Sequence, residues 1–265
     1  MAFKLAISTL RWKEPDLEPC LAALKEAGWE GWECRLPLDW LGTPQRVRRI
    51  CERVGLPMIA YTAGGSPDHR DIENVERNKR RMEFAAEMGA DVFMYMNGRK
   101  PEGRPVTRGD IRAAAEGAEE WAEYAAQFGL ELSYHIHTNL LVDSSEDWRY
   151  YMSLLDKAKL CIDVSHAQLW GSDPVQSLRD FQSQLNYVHL QDYASTSRRE
   201  DGFYDPVWCD VGEYANVDFP AVRQVLEEIH FDRWVTSVPG VPLVSPLEEA
   251  KRSKATVAYL KEIGF

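Results

Sequence analysis

The sequence lacks any apolar run of about 18 residues, the length that a membrane-spanning helix requires. Its first residues, MAFKLAISTLRWKEP, contain one short apolar stretch and then become charged. The longer apolar core and small-residue cleavage site of a signal peptide are missing. We therefore expect a cytoplasmic protein with no membrane partner.

Cysteine is scarce, and its spacing is not that of a pair or a cluster. The chain has an odd number of cysteines with no two close together: Cys20, Cys34, Cys51, Cys161 and Cys209. This pattern predicts reduced thiols rather than a disulfide framework or a zinc ribbon. Cys34 and Cys161 lie inside apolar segments, so we expect them to be small core residues.

Basic residues are also in the minority. The 31 lysines and arginines stand against 42 acidic residues, which gives a net charge of −11. A surface of this charge repels phosphate backbones, so a nucleic-acid partner is disfavoured. The hydrophobic content of 45% is sufficient for a full core.

Short apolar segments rich in Val, Ile and aromatic residues alternate along the chain with segments of helical spacing. The apolar segments are FKLAIST at 3, GWECR at 31, PMIAYT at 57, DVFMYM at 91, LELSYHIH at 130, KLCIDVS at 159, NYVHLQD at 186 and RWVTSV at 233. Nearly continuous apolar character is typical of parallel strands that are buried on both faces.

Helices are predicted between these strands at 17–27, 44–54, 74–88, 111–128 and 219–229, and several of them end at a glycine. Eight strand–helix units predict an α/β fold, a single (β/α)8 TIM barrel spanning residues 1–265. A doubly wound open sheet is the alternative, but its glycine-rich dinucleotide turn is missing after the first strand. The connection of about 25 residues between HLQD and VDFP is long enough to suggest a functional loop.

Four of the six histidines fall near the carboxyl ends of predicted strands, where a TIM barrel places its active site. His135 and His137 end the fifth strand, His166 follows the sixth, and His189 lies in the seventh. Asp163 and Asp192 follow the same pattern. Imidazole and carboxylate groups from adjacent strands are suitable ligands for a divalent transition metal. His69 and His230 are expected at the surface.

Several motifs resemble the xylose-isomerase-like TIM barrels, or sugar phosphate isomerases/epimerases. CIDVSHAQLWGSDP resembles that family's Asp-x-x-His strand with its Gly-x-Asp-Pro helix start, and YVHLQD resembles Val-His-x-Lys-Asp, with Gln191 in place of lysine. GWECR resembles the second strand with its Glu, and VGEYANVDF resembles Gly-Glu-Gly-x-Val-Asp-Phe. YHIHTN is most similar to the inosose dehydratase branch.

The resemblance implies one divalent ion (Mn, Co, Zn or Mg) held by His135, Asp163 and His189. The family's fourth ligand is a Glu at the end of strand eight, where this chain has Val238. The ion is therefore expected to bind weakly. The glutamate pair from strands five and eight, which epimerases use as acid and base, is also missing.

Other residues receive less specific roles. His137 and His166 are predicted to transfer protons or to orient the ligands, and Glu33 to act as a base or to accept a substrate hydroxyl. Asp192 is expected to orient His189 beside the substrate. Glu213 and Trp12 are further candidates for substrate binding. Trp170 and Trp208 are candidates for an aromatic wall, and Arg198 and Arg199 for a phosphate contact or a solvated pair.

The sequence thus predicts an enzyme that acts on a small polyhydroxylated carbonyl compound, a keto-sugar or an inosose, through an enediolate. The outcome would be isomerisation, epimerisation or loss of water, with lyase chemistry favoured. Two alternatives stay open: a non-catalytic or metal-free sugar-binding protein, and an apurinic-endonuclease-like hydrolase. A homo-oligomer is plausible, but the sequence does not determine the oligomeric state.

Overall fold

The computed structural model describes residues 3–64, 71–214, 216–241 and 245–265. Within these residues, eight parallel strands close into a barrel in the order β1-β10-β7-β6-β5-β4-β3-β2. The barrel strands are β1 Lys4–Ser8, β2 Gly31–Cys34, β3 Met58–Thr62, β4 Val92–Tyr95, β5 Glu131–His135, β6 Lys159–Asp163, β7 Leu185–Leu190 and β10 Trp234–Ser237. The predicted (β/α)8 TIM barrel is confirmed.

Helices follow the strands and surround the barrel. They are α1 Leu17–Ala27, α2 Leu38–Leu41, α3 Pro44–Val54, α4 Ile72–Met88, α5 Arg108–Ala126, α6 Ser145–Met152, α7 Val164–Leu169, α8 Pro174–Asp180, α9 Phe219–Glu228, α10 Pro246–Arg252 and α11 Lys254–Glu262. None of the helices in the described ranges has the length and hydropathy to cross a membrane.

The strands form a barrel because their residues are buried on both faces. In β7 every residue is buried, and the pairing of Lys4 in β1 with Trp234 in β10 closes the sheet. Successive side chains point to opposite sides of a strand, so residues two apart in β6, such as Cys161 and Asp163, both face the barrel interior. The carboxyl ends of the strands therefore deliver polar groups to one rim.

Local capping explains why two helices begin earlier than the apolar pattern predicts. α5 begins at Arg108 rather than 111 because Thr107 and Asp110 form a reciprocal capping box. α4 begins at Ile72 rather than 74 because the Asp71 side chain accepts a hydrogen bond from the backbone N–H of Asn74.

The long connection after β7 is an antiparallel hairpin rather than an irregular loop. Its strands are β8 Asp192–Arg198 and β9 Tyr204–Cys209, which pair with one register irregularity between Tyr193 and Ser195. Its base packs tightly on the loop that leaves β10: a Cβ atom added to Gly240 would lie 2.0 Å from the carbonyl oxygen of Cys209. The hairpin is thereby seated on the barrel rim.

Candidate active site at the carboxyl ends of the strands

A cavity of about 150 Å³ opens at the carboxyl ends of the barrel strands. Its lining includes four of the predicted residues, His135, His137, Asp163 and His189, together with Trp208 from the hairpin and Val238 after β10. Val238 is buried and faces the cavity, as a ligand at the end of the eighth barrel strand would. The sequence-predicted cluster is therefore brought together in space.

The carboxylate of Asp163 lies between two imidazoles. Its Oδ2 is 3.4 Å from Nε2 of His135 and 3.9 Å from Nδ1 of His189. Its other oxygen, Oδ1, accepts hydrogen bonds from the backbone N–H and the hydroxyl of Ser165, which fix the carboxylate at the start of α7. Ligand atoms bound at about 2.1 Å in a tetrahedron lie about 3.4 Å apart, so these separations are close to those of a metal site.

Glu33 orients His189 from the interior of the barrel. Its Oε2 accepts a 2.7 Å hydrogen bond from Nε2 of His189. Its Oε1 accepts from the hydroxyl of Ser8 and from Nε of Arg35, and the Tyr187 hydroxyl donates to Oε2. Because the proton of His189 is held on Nε2, its Nδ1 presents a lone pair toward Asp163.

One ring nitrogen in particular fits a bound cation. Nδ1 of His189 is buried, has no hydrogen-bond partner among the described residues and is the nitrogen nearest Asp163. Nδ1 of His135 is also buried without a partner, but the nitrogen of His135 that faces Asp163 is Nε2. Buried polar atoms without a partner are rare and usually mark a missing ligand, ion or water. His135, His189 and Cys161 each offer one ligand atom, the Cys161 atom being Sγ. These three atoms all lie within 4.8 Å of one another. The donors present are those of a transition-metal site.

A second pair of imidazoles adjoins this cluster. The rings of His137 and His166 lie 4.1 Å apart, and Thr138 fixes both of them. Nδ1 of His137 donates to the carbonyl oxygen of Thr138, whereas Nδ1 of His166 accepts from the backbone N–H of Thr138 at 3.3 Å. In their neutral forms, His137 therefore presents an unprotonated Nε2 and His166 a protonated one. His137 lines the cavity, and His166 packs behind it against Trp208.

Burial determines the charge of the cluster. It holds the pKa of His135 and of His166 well below the ordinary value, and it lowers the pKa of His137. Burial alone would raise the pKa of Glu33, but the positive charge of Arg35 and the hydrogen bonds from Arg35 and His189 hold it well below the ordinary value. Three imidazoles are thus neutral near pH 7, and Glu33 is an ionised carboxylate.

Three predicted substrate-binding residues lie outside the described cavity lining. Trp12 is buried and donates from Nε1 to Glu249 in α10, because its indole fills the space between the rim and that helix. Glu213 is exposed and accepts from the backbone N–H of Asp210. Asp192 is buried at the base of the hairpin, where its Oδ1 accepts from the backbone N–H of Tyr193. The expectation that Asp192 orients His189 is wrong, since Glu33 fills that position.

Of the remaining candidates, one lines the cavity and the others form contacts elsewhere. Trp208 reaches the cavity, whereas Trp170 donates to Asp143. Arg198 and Arg199 are exposed in the hairpin and pair there with Tyr204 and Asp201. His230 is exposed, and His69 lies outside the described residues.

Sequence reasoning did not identify Arg11, Arg35 or Thr138 as part of this site. The two arginines follow the first two strands, and this position after a strand end could have indicated that they line the site. Thr138 directly follows the second histidine of YHIHTN. A hydroxyl residue beside two histidines could have indicated that Thr138 bonds to an imidazole.

Comparison with known proteins agrees with this geometry. The chain is 25% identical to the inosose dehydratase of Yersinia enterocolitica over 295 residues, covering 98% of this chain and 97% of the relative. It is 24% identical to the rhizopine catabolism protein MocC of Rhizobium meliloti, covering 89% and 81%. The crystal structure of IolI protein with a bound zinc atom superposes with a TM-score of 0.78 at 18% identity, covering 98% of this chain and 99% of that one. The family model described as xylose isomerase-like TIM barrel matches residues 21–263. The chain belongs to the xylose isomerase-like TIM barrel family.

Proposed function

We propose that the protein is a metal-assisted enzyme acting on a keto-sugar or an inosose through an enediolate, with dehydration favoured over isomerisation or epimerisation. The observation that carries this proposal is the convergence of His135, Asp163 and His189 at a cavity that also contains an unprotonated nitrogen of His137. Such a site combines a position for a cation with a group that removes a proton.

We infer that His135, Asp163 and His189 hold the ion. When bound, a divalent ion would polarise the substrate carbonyl and stabilise the negative charge that develops on its oxygen. Glu33 keeps the lone pair of His189 directed at the site. Cys161 is a less suitable donor than Asp163, because burial raises its pKa well above the ordinary value and it must lose a proton to bind.

His137 is the proposed base. Its Nδ1–H is committed to the Thr138 carbonyl, so its Nε2 accepts the proton next to the carbonyl of the substrate. His166 has the opposite tautomer, which suits proton donation; because it lies behind His137 and outside the described lining, its proton would reach a leaving hydroxyl by way of a group that lines the cavity. Glu33 is a poor base, since its carboxylate already accepts hydrogen bonds from four side chains and its pKa is low.

Loss of water is favoured because a two-glutamate epimerisation has no support in the lining. Asp163 is the one carboxylate among the described lining residues, and it is assigned to the ion. The similarity to proteins named inosose dehydratase supports the same choice.

Proton–deuterium exchange in the substrate, followed by NMR, tests the reaction. We expect the protein with added Mn²⁺ or Co²⁺ to exchange the proton next to the carbonyl of a keto-sugar or inosose. His137→Gln should reduce exchange by roughly 10²–10⁴-fold, the usual effect of losing a general base. His166→Gln should slow the loss of water more than it slows exchange. Exchange that survives both substitutions and disappears in Glu33→Gln at a saturating metal concentration would assign the base to Glu33.

The ion is tested by titrating the apoprotein with Co²⁺. Asp163→Asn should weaken binding strongly, whereas Cys161→Ser should leave both the affinity and the absorption spectrum nearly unchanged. A near-ultraviolet thiolate band that disappears in Cys161→Ser would show that the sulfur is a ligand and would replace Asp163 in the proposed set.

A second candidate function is sugar binding without catalysis, which is favoured by Val238 at the position of the family's fourth ligand. Saturable sugar binding without exchange in the presence of metal would support it. An endonuclease role finds no support, since the net charge of −11 opposes binding to a phosphate backbone.

A further inference from the structure

Two guanidinium groups also line the cavity. Arg11 follows β1 and Arg35 follows β2, and these strands are paired neighbours in the barrel. Both side chains therefore lie on the same part of the rim. The proposed metal-assisted reaction on an uncharged sugar uses neither of them.

Most N–H donors of these two arginines have no acceptor among the described residues. Nε of Arg35 donates to Glu33 at 2.7 Å, but neither of its terminal nitrogens has a hydrogen-bond partner among the described residues, although the side chain is only 9% exposed. Arg11 forms no hydrogen bond or ion pair with any described residue. A guanidinium has five N–H donors, and a nearly buried one is stable when acceptors fill them.

The charge of the lining is also unusual for this protein. The chain carries a net charge of −11, yet the cavity wall has two guanidinium groups, Arg11 and Arg35, against one carboxylate, Asp163. The ionised Glu33 beneath Arg35 balances the second guanidinium, so these four charges cancel. A bound divalent ion would make the site positive, and a concave site of one sign concentrates molecules of the opposite sign, so the metal-loaded cavity would attract anions.

Gln191 adds a neutral donor at the same place. It follows β7 directly, at the position where the family motif has lysine, lines the cavity and is 5% exposed. Its side-chain amide has no hydrogen-bond partner within the described residues. An amide and two guanidinium groups together match the several oxygens of a carboxylate or a phosphate.

We propose that the substrate carries an oxyanion group, a carboxylate or a phosphate, which Arg11 and Arg35 bind while the carbonyl end faces His135, Asp163 and His189. This inference rests on the proposed function and narrows its substrate class to keto-sugars that carry a carboxylate or a phosphate, so an unmodified inosose would be a poor substrate. Arg11 is the position to test, because substitution of Arg35 would also disturb Glu33 and His189.

The experiment compares three compounds of similar carbon skeleton by proton–deuterium exchange: a neutral inosose, a keto sugar acid and a ketose phosphate. We expect exchange to be most efficient with an anionic compound, and the preferred anion distinguishes carboxylate from phosphate. Arg11→Gln should raise KM for that compound roughly 10- to 100-fold, as expected for lost hydrogen bonds to a charged group, with kcat nearly unchanged. Arg11→Lys should restore part of the loss.

Arg49→Gln is the matched control, since Arg49 is exposed on α3 and does not line the cavity, and it should leave KM unchanged. Equal or better exchange with the neutral compound, unaffected by Arg11→Gln, would overturn the anion inference and leave the proposed reaction intact. If no compound exchanges, the proposed reaction fails, and calorimetric titration with the same compounds decides the anion site. Binding of an anion that Arg11→Gln weakens would support the site, and equal binding by both proteins would refute it.

Discussion

Oε2 of Glu33 and Nε2 of His189 form a 2.7 Å hydrogen bond across the barrel interior, although 156 residues separate them in the chain. Their strands, β2 and β7, are not neighbours, since β1 and β10 lie between them. A buried carboxylate that holds one imidazole nitrogen leaves the other free for a ligand, which is the usual arrangement beneath a metal-binding histidine.

We predict that Glu33→Gln weakens binding of Zn²⁺ or Co²⁺ by about 10- to 100-fold, because the neutral amide no longer fixes the proton on Nε2 of His189. Calorimetry of the apoprotein measures the change. Glu249→Gln is the matched control: Glu249 is equally buried but bonds to Trp12. Equal effects of the two substitutions would mean that Glu33 contributes only to the stability of the fold.

Val238→Glu should tighten metal binding, since it adds an oxygen ligand and a negative charge to the cavity wall. Without metal, the same substitution should lower the melting temperature, because a carboxylate is buried without a partner. Added metal should reverse that loss. Val238→Gln has a similar shape but no charge, and it should show much less recovery. Identical recovery in both variants would contradict a ligand role for the new carboxylate.

Stability should decrease as the solution is acidified below pH 6.5. Burial lowers the pKa of His166 in the folded protein well below the ordinary value of 6.5, so the unfolded chain binds the proton first as the pH falls. Stability therefore rises with pH between the folded and unfolded pKa values, by up to about 1.4 kcal/mol per pH unit for one group. Urea denaturation at a series of pH values measures this slope. His166→Gln should reduce it, whereas substitution of the exposed His230 should not.

Gly240→Ala should loosen the hairpin. The new Cβ would lie 2.0 Å from the carbonyl oxygen of Cys209, so one of the two backbone segments must move. Hydrogen exchange should increase in β8 and β9, and the position of Trp208 should become less defined. Gly109→Ala is the control, because its Cβ would meet only Thr107 Oγ1 at an ordinary 3.5 Å. Unchanged protection of the hairpin in Gly240→Ala would show that the contact between Gly240 and Cys209 can rearrange without loosening β8 and β9.

The barrel could be predicted from the sequence because its strands are apolar on both faces and its helices carry local start and stop signals. The convergence of His135, Asp163 and His189 followed from the same reasoning, since parallel strands place their carboxyl ends at one rim. The hairpin was not predicted, because the polar segment 194–206 has the composition of a loop, although its pairing is local and runs from Asp192 with Cys209 to Arg198 with Tyr204.

The roles of Glu33 and Asp192 could not be separated from sequence. Asp192 lies three residues from His189 and was the nearer candidate to orient it, whereas Glu33 lies in a strand on another part of the barrel. Distance along the chain says little about distance across a closed barrel. The unfilled donors of Arg11 and Arg35 were equally hidden, since they depend on which acceptors the folded chain supplies.

The hairpin gives the protein a modular architecture. It leaves the barrel after β7, returns before α9, and brings Trp208 to the cavity while the proposed ligands stay on β5, β6 and β7. The hairpin's contribution to the cavity is thus encoded in a different stretch of the chain from the proposed ligands. Exchanging residues 194–208 for the equivalent segment of a relative would be expected to change the wall that Trp208 forms while the proposed proton-transferring imidazoles keep their positions.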